Sequence, residues 1–320
     1  MTASQVRVAD RPAEDTGDAE VVRRRSVSSV DGLARARVAL HGVGTVGGRF
    51  AALAAAAGVR LERHRSTGPI DAVAARADVL VDCTPPAYEG PRAQAWVARL
   101  AEALRGGTHV VTCNKAPLAI AGRELADAAR DGGARIADSA TVGGGTPVLA
   151  TLRRVHAVHG VARVEASLSG TLAYVVSRVA AGAGLEAAVR EAQAVGLAEP
   201  DPRLDLDGTD TAAKAVVLHN ALYGEPAGRL RLADVHEPLE LREADIRSWT
   251  GGGVAPAVLA HVAPGHVSLR LGPALGPVSP SAIRVRAVHR DGGSTELAGP
   301  GAGAGATAAA LLADLRDLLA

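Results

Sequence analysis

A strand, a glycine turn and a helix follow one another in "RARVALHGVGTVGGRFAALAAAAG", and this segment constrains the fold more than any other. The apolar run Val38 to Leu40 predicts a buried strand, and the alanine-rich run that begins near Thr45 predicts a helix. Three glycines lie between them at G-x-G-x-x-G spacing, which lets a pyrophosphate approach the helix N-terminus. The predicted nucleotide-binding residues are Gly42, Gly44, Thr45, Val46 and Gly47. The alternative is a glycine-rich loop that binds nothing.

Two further apolar segments, "ADVLVDCTPP" and "THVVTCNKAP", are separated by helical patterns. Buried strands that alternate with helices are typical of a parallel sheet covered on both faces. Ligands of such sheets bind at the carboxyl ends of the strands, so Thr84, Asn114 and Lys115 are expected on the nicotinamide side. Cys83 and Cys113 lie at the same strand ends. Without a nearby base in the sequence, we interpret them as small buried residues and not as nucleophiles.

The segment "VRLERHRS" predicts a second strand and bears on the choice of nucleotide. Glu62 lies about 20 residues after Gly42, where an acidic residue would bind the adenine ribose. If the strand reaches His64, the basic residues Arg63 and Arg65 at its end would suit the 2′-phosphate of NADP better than the hydroxyls of NAD. A solvated basic loop is the alternative. We therefore expect NADP, with NAD as the other candidate.

Lysine is confined to two positions in this chain. Of its 35 basic residues only Lys115 and Lys214 are lysines, and all the others are arginines. Arginine stays protonated, whereas an amine releases its proton when its surroundings lower its pKa. Lysines kept in such an arginine-rich chain therefore predict proton chemistry, and chance retention is the alternative.

The second lysine ends the acidic segment "LAEPDPRLDLDGTDTAAK". Asp210 precedes Lys214 by four residues, a spacing that brings a carboxylate and an ammonium group to one face of a helix. If Asp207 is the N-cap, Asp210 lies at position N3 and also stabilises the start of the helix. We interpret Asp201 and Asp207 as loop and cap residues.

Composition excludes several classes of protein. A formal net charge of +1 provides no basic excess for a nucleic-acid partner. Two cysteines without a C-x-x-C motif predict neither a disulfide framework nor a zinc site. No apolar run is long enough to span a membrane, and the arginines near the start are not followed by the apolar segment of an export signal. We expect a cytoplasmic location, with a mobile leader at residues 1–34.

Six segments of the chain resemble homoserine dehydrogenases in their order and approximate spacing. They are "HGVGTVGG", "VVTCNKAPLA", "SATVGGGTPVLATLR", "SLSGTLAYVVS", "AVGLAEPDPRLDLDGTDTAAKAVVL" and "GPGAGAGATAAALLADL". The resemblance runs from Arg37 to the carboxyl terminus. It implies reduction of L-aspartate 4-semialdehyde to L-homoserine with NADH or NADPH, a step toward threonine and methionine.

The resemblance also implies roles for individual residues. Glu199 and Asp205 would hold the amino group of the substrate, and Thr171 would line the pocket. Lys115 and Lys214 would flank the reacting oxygen beside Asp210. We expect Lys214 to be the principal proton donor, with Lys115 as its alternative or as a second anchor for the substrate.

One departure from the family bears on the substrate. Relatives often have a tyrosine where this chain has Leu197, so a hydroxyl near the substrate is missing. A related aldehyde or amino acid is therefore an alternative substrate. The alternatives to this activity are another NAD(P)-dependent dehydrogenase of amino-acid metabolism and a nucleotide-binding sensor without turnover.

Two glycine-rich loops resemble further features of the family. "SATVGGGTP" resembles a loop that binds a monovalent cation such as sodium, with a plain interdomain hinge as the alternative. Its cation ligands would be the backbone carbonyls of Ser139, Val142, Gly144 and Thr146. The carboxyl-terminal loop, with Gly303, would close over the cofactor, and a helix would follow from about Thr307.

The predicted fold class is α/β. A Rossmann-type parallel-sheet domain would comprise residues 35–137 and 298–320. An α+β catalytic and dimerisation domain with a mixed sheet would comprise residues 138–297. The alternating segments "GHVSLRLGP" and "SAIRVRAVHRDG" are typical of half-exposed strands, and the resemblance implies a homodimer formed through that sheet.

Overall fold

The computed structural model describes most of the chain from residue 33 onward. The described residues are 33, 35–64, 77–198, 201–225, 228–235, 239, 241–249, 253–276, 282–301 and 303–320. The leader expected at residues 1–34, apart from Leu33, lies outside these ranges, and so do Arg65 and Glu199.

The strands form two separate five-stranded sheets. The strands of the first sheet are β1 (Val38–His41), β2 (Leu61–His64), β3 (Val79–Asp82), β4 (His109–Thr112) and β5 (Ile136–Ala137). The strands of the second are β6 (Val161–Ser167), β7 (Pro256–Ala263), β8 (His266–Pro273), β9 (Ala282–His289) and β10 (Ser294–Pro300).

Helices connect and cover these strands. They are α1 (Thr45–Ala56), α2 (Gly90–Arg105), α3 (Lys115–Asp131), α4 (Val148–His159), α5 (Gly170–Ala180), α6 (Leu185–Ala194), α7 (Arg203–Leu206), α8 (Thr209–Tyr223), α9 (Glu243–Arg247) and α10 (Ala304–Leu319). Short 3₁₀ turns occupy Ser139–Thr141 and Leu232–Asp234. Among the described residues, no helix is long and apolar enough to cross a membrane.

The first sheet confirms the predicted Rossmann-type domain. Its order is β2-β1-β3-β4-β5, and every pairing is parallel. One face packs against α1 and α10 through Phe50 and Leu311, and the other packs against α2 and α3 through Leu100 and Leu125. The last helix of the chain thus returns to complete the first domain. It begins at Ala304, slightly before the expected Thr307.

The second sheet differs from the expected mixed sheet, because all of its described pairings are antiparallel. Its order is β10-β9-β6-β7-β8, with β7–β8 and β9–β10 joined as hairpins. A hairpin can pair only antiparallel. Residues 298–300, which we assigned to the first domain, belong to β10 of this sheet. Helices α4, α5 and α8 pack against one face of the sheet.

Candidate active site

The predicted glycine loop has the steric features that a nucleotide loop requires. Gly42 has φ +89, and a Cβ atom there would lie 2.4 Å from the carbonyl oxygen of Cys83. A Cβ atom at Gly47 would lie 1.8 Å from the carbonyl oxygen of Gly42. Only glycine fits at either position, because the turn folds tightly between β1, β3 and α1.

The N-terminus of α1 is open toward solvent beside this turn. Gly44 and Thr45 are exposed, and nothing lies within 4 Å of a Cβ atom built at Gly44. No side chain caps the helix, and its first turn holds no acidic residue. The backbone N–H groups at this end therefore fit a phosphate anion.

Arg63 and Gly303, both predicted to bind the cofactor, lie near the end of β2 and immediately before α10. Strand β2 reaches His64, and Arg63 is exposed on it in parallel register with Leu40 of β1. Gly303 has φ +134 and immediately precedes α10, which packs against α1.

A buried aspartate organises the carboxyl ends of β3 and β4. Asp82 is fully buried, and burial raises the pKa of its carboxyl group. It accepts hydrogen bonds from the Thr84 hydroxyl at 2.7 Å and from Trp96 Nε1 at 3.1 Å. The Thr84 oxygen in turn accepts from Asn114 Nδ2 at 2.9 Å. Asn114 caps α3, whose first residue is Lys115. Sequence reasoning missed Asp82, which connects these predicted residues.

The two lysines of the chain meet at one carboxylate. Lys115 Nζ lies 2.7 Å from Asp210 Oδ1, and Lys214 Nζ lies 2.9 Å from Asp210 Oδ2. All three side chains are between 14% and 17% exposed. Lys115 belongs to the first domain, whereas Asp210 and Lys214 belong to α8 of the second. The cluster therefore lies at the interface between the two domains.

The charge of Asp210 is strongly stabilised. Burial would raise the pKa of its carboxyl group, but the ammonium groups of Lys214 and Lys115 more than compensate, and the net shift is well downward. The carboxylate is therefore ionised throughout the neutral range, as the expected pairing with Lys214 requires.

A tyrosine completes the cluster, and sequence reasoning missed it. The hydroxyl of Tyr88 donates to Asp210 Oδ1 at 3.1 Å from the loop between β3 and α2. Burial, followed by the charge of Asp210, raises the pKa of this phenol far above its usual range, so it remains protonated. A signal was available in the sequence, because Tyr88 is one of only three tyrosines.

Asp205 and Thr171 lie beside the cluster. Burial and then the charge of Asp210 raise the pKa of Asp205, while Lys214 and Lys115 act in the opposite direction. The hydroxyl of Thr171 donates to the carbonyl of Leu197 at 2.8 Å. The structure thus brings these two predicted substrate residues close to the lysines. The third, Glu199, lies outside the described residues.

The start of α8 differs in detail from our expectation. The N-cap is Gly208, with φ +78, and Asp210 is consequently the second helical residue and not the third. Asp207 still contributes, because its Oδ1 accepts the N–H of Thr209 at 2.8 Å. The prediction that Asp207 is the N-cap is therefore wrong, although its side chain binds the first N–H of the helix from the position before the N-cap. Asp201 pairs with Arg203 in the preceding loop.

The loop of the expected cation site lies between β5 and α4. Gly143 and Gly144 both have positive φ, at +92 and +55. The carbonyl of Thr146 accepts the N–H of Val148 at 2.7 Å, which leaves one lone pair on that oxygen. The N–H of Ser139 donates to Asp314 of α10 at 2.9 Å. These contacts fix the shape of the loop and do not by themselves assign it a cation.

The thiols behind the glycine loop do not have the properties of nucleophiles. A hydrogen bond with Cys113, followed by burial, raises the pKa of the Cys83 thiol far above its usual range. Both cysteines pack at the edge of the core formed with α1 and α10. Both side chains are partly buried and not fully buried as expected, and the interpretation of Cys113 as a residue without nucleophilic function stays a prediction.

Two family models match the chain. One described as "Homoserine dehydrogenase" matches residues 147–315, and one described as "Homoserine dehydrogenase, NAD binding domain" matches residues 30–137. Together they cover both halves of the structure and both members of the lysine pair.

Curated relatives and solved structures agree with these models. A homoserine dehydrogenase from Pyrococcus horikoshii is 32% identical over 67% of this chain and 64% of its own length. An NAD(+)-dependent homoserine dehydrogenase from Pseudomonas canavaninivorans is 33% identical over 67% of this chain and 63% of its own length. The chain thus spans less than two thirds of these relatives.

The structural comparison covers more of the chain. The crystal structure of a putative homoserine dehydrogenase from Archaeoglobus fulgidus is 27% identical, with a TM-score of 0.74 over 89% of this chain and 99% of that one. A hyperthermophilic archaeal homoserine dehydrogenase in complex with NADPH is 25% identical, with a TM-score of 0.68 over 88% of this chain and 96% of that one.

Proposed function

The chain belongs to the homoserine dehydrogenase family, and from that premise we propose that it interconverts L-aspartate 4-semialdehyde and L-homoserine with NAD(P). The observation that carries the proposal is the convergence of both lysines on Asp210 beside the strand ends of the nucleotide-binding domain. The reaction is a step in the synthesis of threonine and methionine.

The charge balance of the cluster favours an oxyanion. Two ammonium groups face the carboxylates of Asp210 and Asp205. When the substrate amino group pairs with Asp205, one of these positive charges is left for the substrate oxygen in a site that is mostly removed from water. Reduction of an aldehyde places negative charge on its oxygen. A preorganised positive charge stabilises that oxygen more in the transition state than in the substrate.

Lys214 is positioned to donate the proton. Its Nζ donates to the carbonyl of Leu168 at 2.8 Å and lies against Asp210 at 2.9 Å. An ammonium group has three N–H donors. Among the described residues these two partners use two of them, so the third is left for the substrate oxygen. In the oxidative direction, the neutral amine of Lys214 accepts the hydroxyl proton of homoserine.

Lys115 and Tyr88 hold Asp210 in place. Both side chains contact Asp210 Oδ1, at 2.7 and 3.1 Å, while Lys214 contacts Oδ2. With each oxygen engaged, the carboxylate orients the Lys214 amine. Lys115 serves as the second anchor for the substrate and for the nicotinamide side of the cofactor.

The substrate amino group is assigned to Asp205. Its carboxyl group is largely buried, and its pKa is raised by burial and by Asp210. A substrate ammonium group beside it would compensate the unfavourable negative charge. Thr171 lies beside Asp205, and we assign the second carboxylate to Glu199, which lies outside the described residues. This arrangement favours an amino-acid substrate over a simple aldehyde.

The nucleotide-binding domain fits a dinucleotide by its own geometry. The uncapped N-terminus of α1 and the open space at Gly44 accommodate the pyrophosphate. The other residues that we assign to this nucleotide are Val46, Thr84 and Gly303. A nicotinamide nucleotide supplies the hydride chemistry when it is bound.

NADP is the preferred nucleotide in this proposal, on the basis of the exposed Arg63 at the end of β2. One relative is described as NAD(+)-dependent, whereas another is solved with NADPH, so the relatives support either nucleotide. Titration of NAD and NADP against Arg63→Ala tests the preference, with the exposed Arg49→Ala on α1 as control. Unchanged NADP affinity in Arg63→Ala would contradict the proposed preference for NADP.

We retain the division into a nucleotide-binding domain and a catalytic domain, together with a homodimer formed by the second sheet. The face opposite α4 and α8 carries Glu165, His261 and Arg286, which line an open groove of about 350 Å³. Sedimentation velocity tests the dimer. Sodium, held by the backbone carbonyls of Ser139, Val142, Gly144 and Thr146, is tested by comparing rates in sodium and choline salts.

The activity assay separates the proposal from its alternatives. Purified protein is supplied with L-homoserine and either NAD or NADP, and reduced nucleotide is followed by absorbance. Turnover with homoserine supports the proposal. Turnover only with another hydroxy amino acid would favour the related dehydrogenase, and nucleotide binding without turnover on any of them would favour the sensor.

A further inference from the structure

Two histidines and an aspartate come together far from the lysines. His159 is the last residue of α4, His289 is the last residue of β9, and Asp291 lies in the turn between β9 and β10. Gly160 follows α4, and its carbonyl accepts the N–H of Arg290 in the β9–β10 turn at 2.8 Å, so the end of the helix lies against the hairpin. Each side chain offers a ligand atom, and these three atoms lie within 4.8 Å of one another.

Each histidine lies near one of the two Asp291 oxygens, at a distance close to that between neighbouring ligands of a tetrahedral metal site. His159 Nδ1 lies 3.3 Å from Asp291 Oδ2, and His289 Nδ1 lies 3.8 Å from Asp291 Oδ1. Zinc binds imidazole nitrogen and carboxylate oxygen at about 2.0–2.2 Å, which places neighbouring tetrahedral ligands about 3.4 Å apart. His159 is 47% exposed, so its side chain has room to close the remaining gap.

The ligand atoms are oriented by hydrogen bonds behind them. His289 is only 8% exposed, and its Nε2 lies 2.9 Å from the Thr295 hydroxyl, which leaves Nδ1 facing the cluster. Asp291 Oδ1 accepts the N–H of Gly293 at 2.9 Å, which fixes the carboxylate within the turn. Partners of this kind set the tautomer of a ligating histidine and the direction of a ligating carboxylate.

We propose that His159, His289 and Asp291 form a site for a divalent transition-metal ion, and that zinc is the ion it binds. Two imidazoles and one carboxylate suit zinc and are a poor set for magnesium, which prefers oxygen ligands and an octahedral shell. The three side chains leave a fourth position for water. The rings of His159 and His289 are stacked, with centroids 5.0 Å apart and planes 9° apart. Because the lone pair of an imidazole nitrogen lies in the plane of the ring, the exposed His159 ring turns to bring its Nδ1 to the shared ion.

The location points to a stabilising role. The site joins the carboxyl-terminal end of α4 to the β9–β10 hairpin at the start of β6. Lys214 contacts the Leu168 carbonyl just beyond the other end of β6, which spans Val161–Ser167, about 20 Å away. Bound zinc would therefore cross-link the second domain without touching the lysine cluster. The inference is independent of the proposed activity.

The test titrates the full chain, freed of metal, with zinc chloride and follows binding by calorimetry and thermal unfolding. Wild type is expected to bind one zinc ion at this site and to unfold at a higher temperature with zinc but not with magnesium. His159→Ala and Asp291→Asn are each expected to weaken zinc binding by more than about tenfold and to lose the thermal shift. The amide oxygen introduced by Asp291→Asn still accepts the Gly293 N–H, so that variant keeps the turn.

His266→Ala is the matched control, because it removes a histidine from the start of the other strand hairpin, β7–β8. It is expected to bind zinc like wild type. Cobalt(II) substitution identifies the ligands, since a site of nitrogen and oxygen donors lacks the thiolate charge-transfer band that Cys83 or Cys113 would give. Equal zinc affinity in wild type, His159→Ala and Asp291→Asn would overturn the proposal, as would a thiolate band.

Discussion

The glycine loop follows β1 and the lysine cluster lies beyond the end of β4, and the two regions are built in opposite ways. The loop depends on backbone contacts among β1, α1 and the end of β3, where side chains would collide at Gly42 and Gly47. The cluster depends on Tyr88, Lys115 and Lys214, which reach one carboxylate from separate segments of two domains. Steric contacts therefore determine the structure of the loop, whereas electrostatic interactions determine that of the cluster.

The difference determines how each region should respond to substitution. A steric site tolerates glycine alone at the crowded positions and is indifferent to charge. An electrostatic site tolerates small changes of shape but fails when the charge balance changes. Substitutions in the two regions should therefore differ in whether they change stability, nucleotide binding or catalysis.

Asp210→Asn is expected to have the largest effect. It leaves two partly buried ammonium groups facing one another without their carboxylate, so kcat/KM should fall by about 10²-fold or more, and the free energy of unfolding by about 3 kcal/mol. Steady-state kinetics and urea unfolding measure both. The control is Asp207→Asn, in which the amide oxygen still accepts the Thr209 N–H, so activity should stay near wild type. Equal loss in both variants would contradict the account.

Substitutions at two glycines of the loop should have different effects, one on stability and the other on nucleotide binding. Gly42→Ala combines a positive φ with a severe backbone clash, so it should lower the free energy of unfolding by about 3 kcal/mol. Gly44→Ala has room for its methyl group in the free protein, so it should unfold like wild type while binding NAD(P) at least about tenfold more weakly. Denaturation and nucleotide titration test the pair, with Gly48→Ala as control. Tight nucleotide binding by Gly44→Ala would refute the assignment.

Asp314 should make the joint between the two domains sensitive to pH. Burial raises the pKa of its carboxyl group to about 6. The folded chain therefore holds this proton more tightly than the unfolded chain, and the stabilisation is lost as pH rises from about 4 through 6. The free energy of unfolding of Asp314→Asn, relative to wild type, should rise by about 2 kcal/mol between pH 4 and pH 7. A difference that is constant across this range would contradict the assignment.

Tyr88→Phe should have the smallest effect. It removes one of three partners of Asp210 and leaves the charge balance intact, so kcat/KM should fall by roughly fivefold, equivalent to about 1 kcal/mol. Stability should change little, because the ring is retained. Steady-state kinetics with homoserine measure the loss, and Tyr174→Phe on α5 is the control. A loss as large as that of Asp210→Asn would show that the hydroxyl takes part in proton transfer itself.

The sequence could predict whatever is encoded over a short stretch. The strand–glycine–helix spacing predicted β1, the loop and α1, and the four-residue spacing of Asp210 and Lys214 predicted their contact. The antiparallel second sheet was harder, because its pairings join segments far apart along the chain, such as β6 with β9. Local alternation identifies a strand but does not give the direction of its partner.

The site residues that sequence reasoning missed are brought together by contacts between segments that lie far apart along the chain. Asp82 is connected to Thr84 and Asn114 by hydrogen bonds at the ends of adjacent strands. No spacing in the sequence predicts these hydrogen bonds. Tyr88 could have been found by the argument that selected the lysines, since tyrosine is also scarce. The histidine and aspartate cluster likewise has no C-x-x-C or H-x-x-x-H motif, because its ligands come from a helix end and a distant hairpin.

Chemical rescue of Lys214→Ala tests the central claim most directly. The claim is that the Lys214 amine exchanges a proton with the substrate oxygen. The variant should oxidise homoserine about 10²-fold or more slowly than wild type, and added ethylamine should restore part of the rate in proportion to its concentration. Homoserine oxidation by Lys214→Ala within a few-fold of wild type, without any amine, would contradict the claim.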